Sequence, residues 1–306
     1  VRISRMAVAA VAAAAVVVGI AGCSSSSGGS DDSTIHAVAA ENEYADVISQ
    51  VGGHYVSVSA IMSDPNTDPH TYEASPAVAE ELRDATLVVQ NGVGYDDFMS
   101  KLEQASPANG RKVIVAQQVL GLPDSTPNPH LWYDPKTMPA VAKAIADDLA
   151  TLQPAHKDEF EKNAAAFVAS LQPWTTALAS FAKTHPATPV AVTEPVADYM
   201  LQAAGTDIKT PWTLQAAIMN DTDPSPQDST LQDSLLSDKQ VKVFLYNQQV
   251  TDDTTSKYLA LSRQHGIPVV GVYETMPTGY TYQRWMTAEL DAMSKAVTDG
   301  TSTEKL

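Results

Sequence analysis

One cysteine in 306 residues cannot pair within the chain, so a disulfide scaffold is excluded. Basic side chains are also scarce: 19 Lys and Arg stand against 36 Asp and Glu, for a net charge of −17. Such a surface repels phosphates and releases no counterions, which argues against a nucleic-acid partner. It equally lacks the basic patch that would hold a protein on an anionic membrane. Neither a Gly-x-Ser-x-Gly elbow nor a His-Glu-x-x-His pair occurs, so two common signatures of hydrolases are missing. What the chain does have is 44% hydrophobic residues, enough for a real core, and a length that suggests about two domains.

Met6 to Gly22 carries no charge and follows Arg2 and Arg5. That run is shorter than the roughly 20 apolar residues of a comfortable membrane span, and its charged-then-apolar layout is that of a secretory signal. It ends Ile20-Ala21-Gly22-Cys23 and passes into a Ser/Gly tether. This resembles a bacterial lipoprotein signal, which implies cleavage before Cys23 and lipidation of Cys23 as the new N-terminus. A plain signal peptide with an incidental cysteine is the competing reading. The expected place of work is the extracytoplasmic face of the bacterial cell membrane.

Short apolar runs bounded by turn residues read as buried strands, and the segments between them as helices. In the first half, strands are expected near Ile35–Ala39, Tyr55–Ala60, Thr86–Gln90 and Lys112–Ala116, with helices near Tyr44–Gln50, Pro76–Asp84 and Asp96–Gln104. The second half offers strands at Pro189–Thr193, Val241–Tyr246 and Ile267–Val272, with helices near Pro195–Ala204, Thr254–His265 and Tyr282–Val297. Strands alternating with helices predict parallel sheets covered on both faces. Between the halves, Pro139–Leu152 and His156–Lys183 are helical by pattern. In the second of these, Phe160, Ala164, Phe167, Leu171, Trp174, Leu178 and Phe181 form one apolar stripe, interrupted by Pro173. Pro173 either kinks this helix or opens a second one. The expected fold class is α/β, with two parallel-sheet lobes joined by a long rigid helix and a cleft between them. Its divisions are a signal peptide over 1–22, a tether over 23–33, an N-terminal lobe over 34–152, a connecting helix over 153–186 and a C-terminal lobe over 187–306.

In open parallel sheets, ligands bind beyond the carboxyl ends of the strands. Four metal-capable side chains sit there. His70 lies in Asp68-Pro69-His70, and His130 in Asn128-Pro129-His130-Leu131-Trp132. Glu194 directly follows the Val190–Thr193 run and precedes Pro195, which suits the first turn of a helix, and Glu274 follows Val269–Val272. Two carboxylates balance a divalent cation, and two neutral imidazoles add affinity without charge. Each signal alone is weak, since a loop histidine is usually just solvated. His36, His54, His156, His185 and His265 take that bland reading.

The tandem of Asp68-Pro69-His70 with Tyr72-Glu73, and of Asn128-Pro129-His130-Leu131-Trp132 with Asp134-Pro135, resembles the zinc- and manganese-binding solute-binding lipoproteins of ABC transporters. These are related to the streptococcal lipoprotein adhesins. Gly52-Gly53, Glu194 with Tyr199 and Gly205, and Val270 to Pro277 extend the likeness over most of the chain. The resemblance implies one metal held by His70 and His130 from the first lobe and Glu194 and Glu274 from the second. It also implies a monomer that hands its cargo to a membrane permease driven by an ATPase, and no enzymatic activity.

The zinc branch usually has histidine where this chain has Glu194, often aspartate in place of Glu274, and often a His-rich loop where Gln117–Asn128 has none. The more oxygen-rich set leans towards manganese, with zinc nearly level and ferrous iron a third candidate. Carboxylates binding through two oxygens each would suit six-coordinate manganese; binding through one would suit tetrahedral zinc. Two other readings stay open: a binding protein for a small organic solute, and a metallohydrolase.

Overall fold

The computed structural model describes residues 34–66, 72 and 75–306. The first lobe runs β1 (Ile35–Glu41), α1 (Asn42–Gly52), β2 (Val56–Met62), α2 (Pro76–Asp84), β3 (Leu87–Gln90), α3 (Asp97–Ala105), β4 (Lys112–Val115) and a short α4 (Ala116–Val119). Its four parallel strands lie in the order β2-β1-β3-β4. Leu87, Val88, Val89 and Gln90 are all buried, as a strand covered on both faces requires. Gly52-Gly53 makes the α1–β2 turn possible: a Cβ on Gly52 would lie 2.2 Å from Val56, and Gly53 has φ +56°.

Then come α5 (Thr137–Leu152), α6 (Lys157–Ser170) and α7 (Gln172–Thr184). The second lobe follows as β5 (Pro189–Val192), α8 (Asp198–Ala203), β6 (Asp207–Ile208), α9 (Trp212–Met219), α10 (Pro226–Ser237), β7 (Val243–Asn247), α11 (Asp253–His265), β8 (Val269–Val272) and α12 (Tyr282–Asp299). Its parallel sheet has the order β6-β5-β7-β8, the same topology as the first. The duplication is therefore architectural. In each sheet the chain reverses its direction of winding between the first and third strands, and the crevice at such a switch point is where ligands bind.

The connector expected over 153–186 is a short 3-10 turn at Pro154–His156 followed by two helices broken at Leu171, so of the two readings of Pro173 it opens a second helix. Pro173 is the second residue of α7, where its missing N–H leaves no hydrogen bond unmade. The apolar stripe survives the break, for all seven of its residues are buried. What changes is the partner: α6 packs on α5 and α1, whereas α7 packs on α12 and α8. One apolar core runs from Ile35 in β1 through both connector helices to Ala296 in α12. Asn42 Nδ2 donates to Met276 O at 2.8 Å, and Tyr282 N–H to Asp46 Oδ2 at 2.9 Å, so α1 is also pinned to the entry of α12. No helix among the described residues is long and apolar enough to cross a membrane.

Candidate metal centre

Three of the four expected donors lie in the described residues, and all three are buried: His130 and Glu274 with 0% exposure and Glu194 with 2%. Glu194 stands in the bend between β5 and α8. It lies ahead of the helix rather than in its first turn, because α8 begins only at Asp198. Glu274 follows β8. Between them, Asn247 closes β7, the strand that pairs with both β5 and β8. Asn247 Nδ2 donates to Glu194 Oε1 and to Glu274 Oε1, each at 2.7 Å. Its own Oδ1 accepts the Gln249 backbone N–H at 3.0 Å, which settles which end of the amide faces the carboxylates. Gln249 Oε1 in turn takes the N–H groups of Glu274 and Thr275 at 2.7 and 2.8 Å. The Glu274 loop is thus held by two neutral amides from the end of β7.

His130 is aimed with similar care. Asn128 Oδ1 lies 2.8 Å from His130 Nδ1 and also accepts the His130 backbone N–H at 3.0 Å. The other end of that amide donates to Pro195 O at 2.8 Å, so Oδ1 must face the imidazole and Nδ1 must carry a proton. Asn91, just past β3, donates to Pro129 O at 2.8 Å and accepts Tyr44 Oη–H at 2.7 Å. His130 Nε2 is left directed at Glu274 Oε2, 3.2 Å away. Tyr95 Oη–H donates to the same Oε2 at 3.0 Å, and its ring packs edge-on against His130 and Trp132. A neutral imidazole nitrogen facing a carboxylate presents two lone pairs to each other. Only a proton or a cation makes that contact favourable.

His70 and Cys23 lie outside the described residues. Among the described residues, no group of three or more His, Cys, Asp or Glu side chains is gathered at metal-binding spacing. The structure therefore brings His130 and Glu274 together directly, and joins Glu194 to them through Asn247. The remaining histidines fit their bland assignment: His156 stacks on Tyr55 at 3.9 Å, His54 is exposed, and His185 caps α7 against Phe181. Asp252 is the N-cap of α11, with its Oδ1 accepting the Thr255 N–H. Asp198 is buried, which pushes its carboxyl up to about 7.

Three buried carboxyls beside the site were passed over in the sequence. Glu41 ends β1, Glu43 opens α1, and Asp96 precedes α3. Burial, reinforced by the Asp96 and Glu43 charges, holds Glu41 well above the usual carboxylate range. Asp96 accepts the Asn91 and Gly92 N–H groups at 2.6 and 2.9 Å and sits at about 6 because of its burial. Glu43 is also raised, by burial first and then by the charges of Glu274 and Asp96. The signal was available: Glu41 and Glu43 follow an apolar strand just as Glu194 does.

Two like-ordered parallel sheets, with Glu194 and Glu274 buried past the ends of β5 and β8 and His130 turned towards Glu274, make a two-lobed protein, and known proteins share this plan. The family model for zinc-uptake complex component A, periplasmic (ZnuA) matches residues 38–296, and the chain belongs to that family. It is similar to the manganese-binding lipoprotein MntA of Halalkalibacterium halodurans, 28% identical over 144 residues, 46% of this chain and 48% of that one. It is also similar to the zinc-binding protein TroA of Treponema pallidum, 29% identical over 130 residues, 40% of this chain and 41% of that one. The chain thus matches about half, or less, of the length of these curated relatives. In structure, the periplasmic zinc-binding protein TroA from the same organism superposes with a TM-score of 0.73 at 20% identity, covering 86% of this chain and 99% of that chain. That likeness shows the two-lobed fold.

Proposed function

We propose that the protein is an extracytoplasmic solute-binding protein that captures one divalent transition metal, manganese or zinc, and delivers it to an ABC permease for import. The observation that carries this reading is the buried contact of His130 Nε2 with Glu274 Oε2, with Nδ1 committed to Asn128. It is an arrangement that a cation completes. His70, outside the described residues, is the fourth donor in this reading. Capture rather than catalysis follows from the closed setting: four protein donors leave no position for a substrate or an activated water. A lipid on Cys23 would tether the protein, as a monomer, to the outer face of the cell membrane, where a permease with its cytoplasmic ATPase would collect the metal.

Calorimetric titration of chelator-stripped protein with zinc and with manganese tests this. One ion should bind per chain. Binding should weaken as pH falls through about 6.5, the ordinary imidazole value, because protons then compete for the histidines. Failure of both metals to bind would defeat the reading and bring back the organic-solute alternative. An affinity unchanged from pH 7.5 to 5.5 would remove the histidines from the ligand set.

A further inference from the structure

We infer that Asn42, in the first lobe, is a positioning residue for Glu274, in the second. This rests on the metal-binding reading above and uses described residues alone. Asn42 opens α1, and Asn42, Asp46 and Gln50 follow one another at steps of four, on one face of that helix. All three reach across to the second lobe. Asp46 Oδ2 accepts the Tyr282 N–H at 2.9 Å, and Gln50 and Gln283 exchange amide hydrogen bonds at 3.1 and 2.7 Å. Asn42 grips the main chain twice: Nδ2 donates to Met276 O at 2.8 Å, and Oδ1 accepts the Met276 N–H at 2.9 Å. That takes a donor and an acceptor side by side, which a side-chain amide supplies.

Met276 lies two residues beyond Glu274 and is buried. The segment that carries Glu274 is held along its whole length. Tyr133 Oη–H donates to Tyr273 O at 2.8 Å, Gln249 Oε1 accepts the Glu274 and Thr275 N–H groups, and Asn42 fixes the far end. Without the Asn42 amide, two buried peptide groups lose their partners, and the segment must shift to satisfy them. Glu274 then no longer stands ready opposite His130 Nε2, and binding a cation must first restore it. Two neutral hydrogen bonds make that a loss of roughly five- to a hundredfold in affinity. The Gln50–Gln283 pair joins the same two lobes, but it lies nine residues past Glu274, on α12. A bond that merely holds the lobes together is thereby separable from one that places a donor.

Zinc affinity, measured by competition with a calibrated chelator, is compared in chelator-stripped full-length wild type, Asn42→Ala and Gln50→Ala. Urea melts of the metal-free forms run alongside. Asn42→Ala should bind zinc roughly five- to a hundredfold more weakly. Gln50→Ala should stay within about twofold of wild type, although both variants give up interlobe hydrogen bonds and melt earlier. Equal losses of affinity in the two variants would make Asn42 a lobe-joining contact and overturn the inference. So would an Asn42→Ala affinity within about twofold of wild type. Asn42→Ser carries the comparison if the alanine variant does not fold. No zinc binding by the wild type would instead overturn the metal-binding reading, and the inference with it.

Discussion

Glu274→Gln should lower the affinity for zinc or manganese by roughly a hundredfold or more while leaving the fold intact. The substitution keeps the shape but removes the charge that pairs with a cation. It also creates a conflict. Asn247 Nδ2 donates to one oxygen of Glu274 and Tyr95 Oη–H to the other, whereas glutamine offers a single acceptor. One donor must then face the new amide nitrogen. Groups that merely support a metal ligand are worth roughly 10–100-fold in affinity, so a direct ligand should cost at least the upper part of that range. Titration against a calibrated chelator reads the loss. An affinity within threefold of wild type would show that Glu274 does not hold the ion.

The second large effect lies behind the site, at Glu289 on α12. Tyr133 Oη is 2.8 Å from Tyr273 O and 2.8 and 2.9 Å from the two oxygens of Glu289, and Trp285 Nε1–H donates to Glu289 Oε1 at 2.7 Å. Tyr133 has one proton to give. The arrangement closes only if Glu289 is protonated and donates to Tyr133, which then donates to Tyr273 O. Burial accordingly pushes the Glu289 carboxyl from its ordinary 4.5 up to about 8. This chain of bonds ties the segment after His130 to the residue before Glu274.

Between those two pH values the folded protein keeps a proton that the unfolded chain has released, so stability falls as pH rises from 4.5 towards 8 and levels off above it. Glu289→Gln supplies the same donor and acceptor without titrating. It should match the wild type near pH 4 and exceed it above pH 8, by roughly 2–5 kcal/mol at 1.36 kcal/mol per pH unit. Urea melts from pH 4 to 9 measure this difference. A gap that does not grow with pH would mean that Glu289 is ionised in the folded protein.

Seven of the eight strands were legible because buried parallel strands are short, nearly unbroken apolar runs such as Leu87–Gln90 and Val269–Val272. The eighth, β6, is two residues long at a sheet edge and carries no such pattern. Helix α9 was missed because Trp212–Met219 is apolar nearly all round, and α10 because it is mostly polar; neither shows a helical stripe. The connector's apolar stripe was visible and Pro173 marked a kink or a division, but the stripe runs through the break at Leu171 unaltered, so the pattern did not choose between them.

At the site, metal-capable side chains placed after apolar runs or in a Pro-His motif made His130, Glu194 and Glu274 conspicuous. Asn247, Asn128 and Gln249 were not, because a neutral amide looks like any surface residue until the fold places it between two carboxylates or behind an imidazole. Position, rather than residue type, gives those amides their role.

The most direct test of the metal site is anomalous diffraction from crystals of the zinc-loaded protein, collected above and below the zinc absorption edge. The account predicts one strong peak per chain, within coordination distance of His130 Nε2 and of the Glu194 and Glu274 carboxylates. A peak on surface carboxylates alone, with the His130–Glu274 contact unchanged, would contradict it.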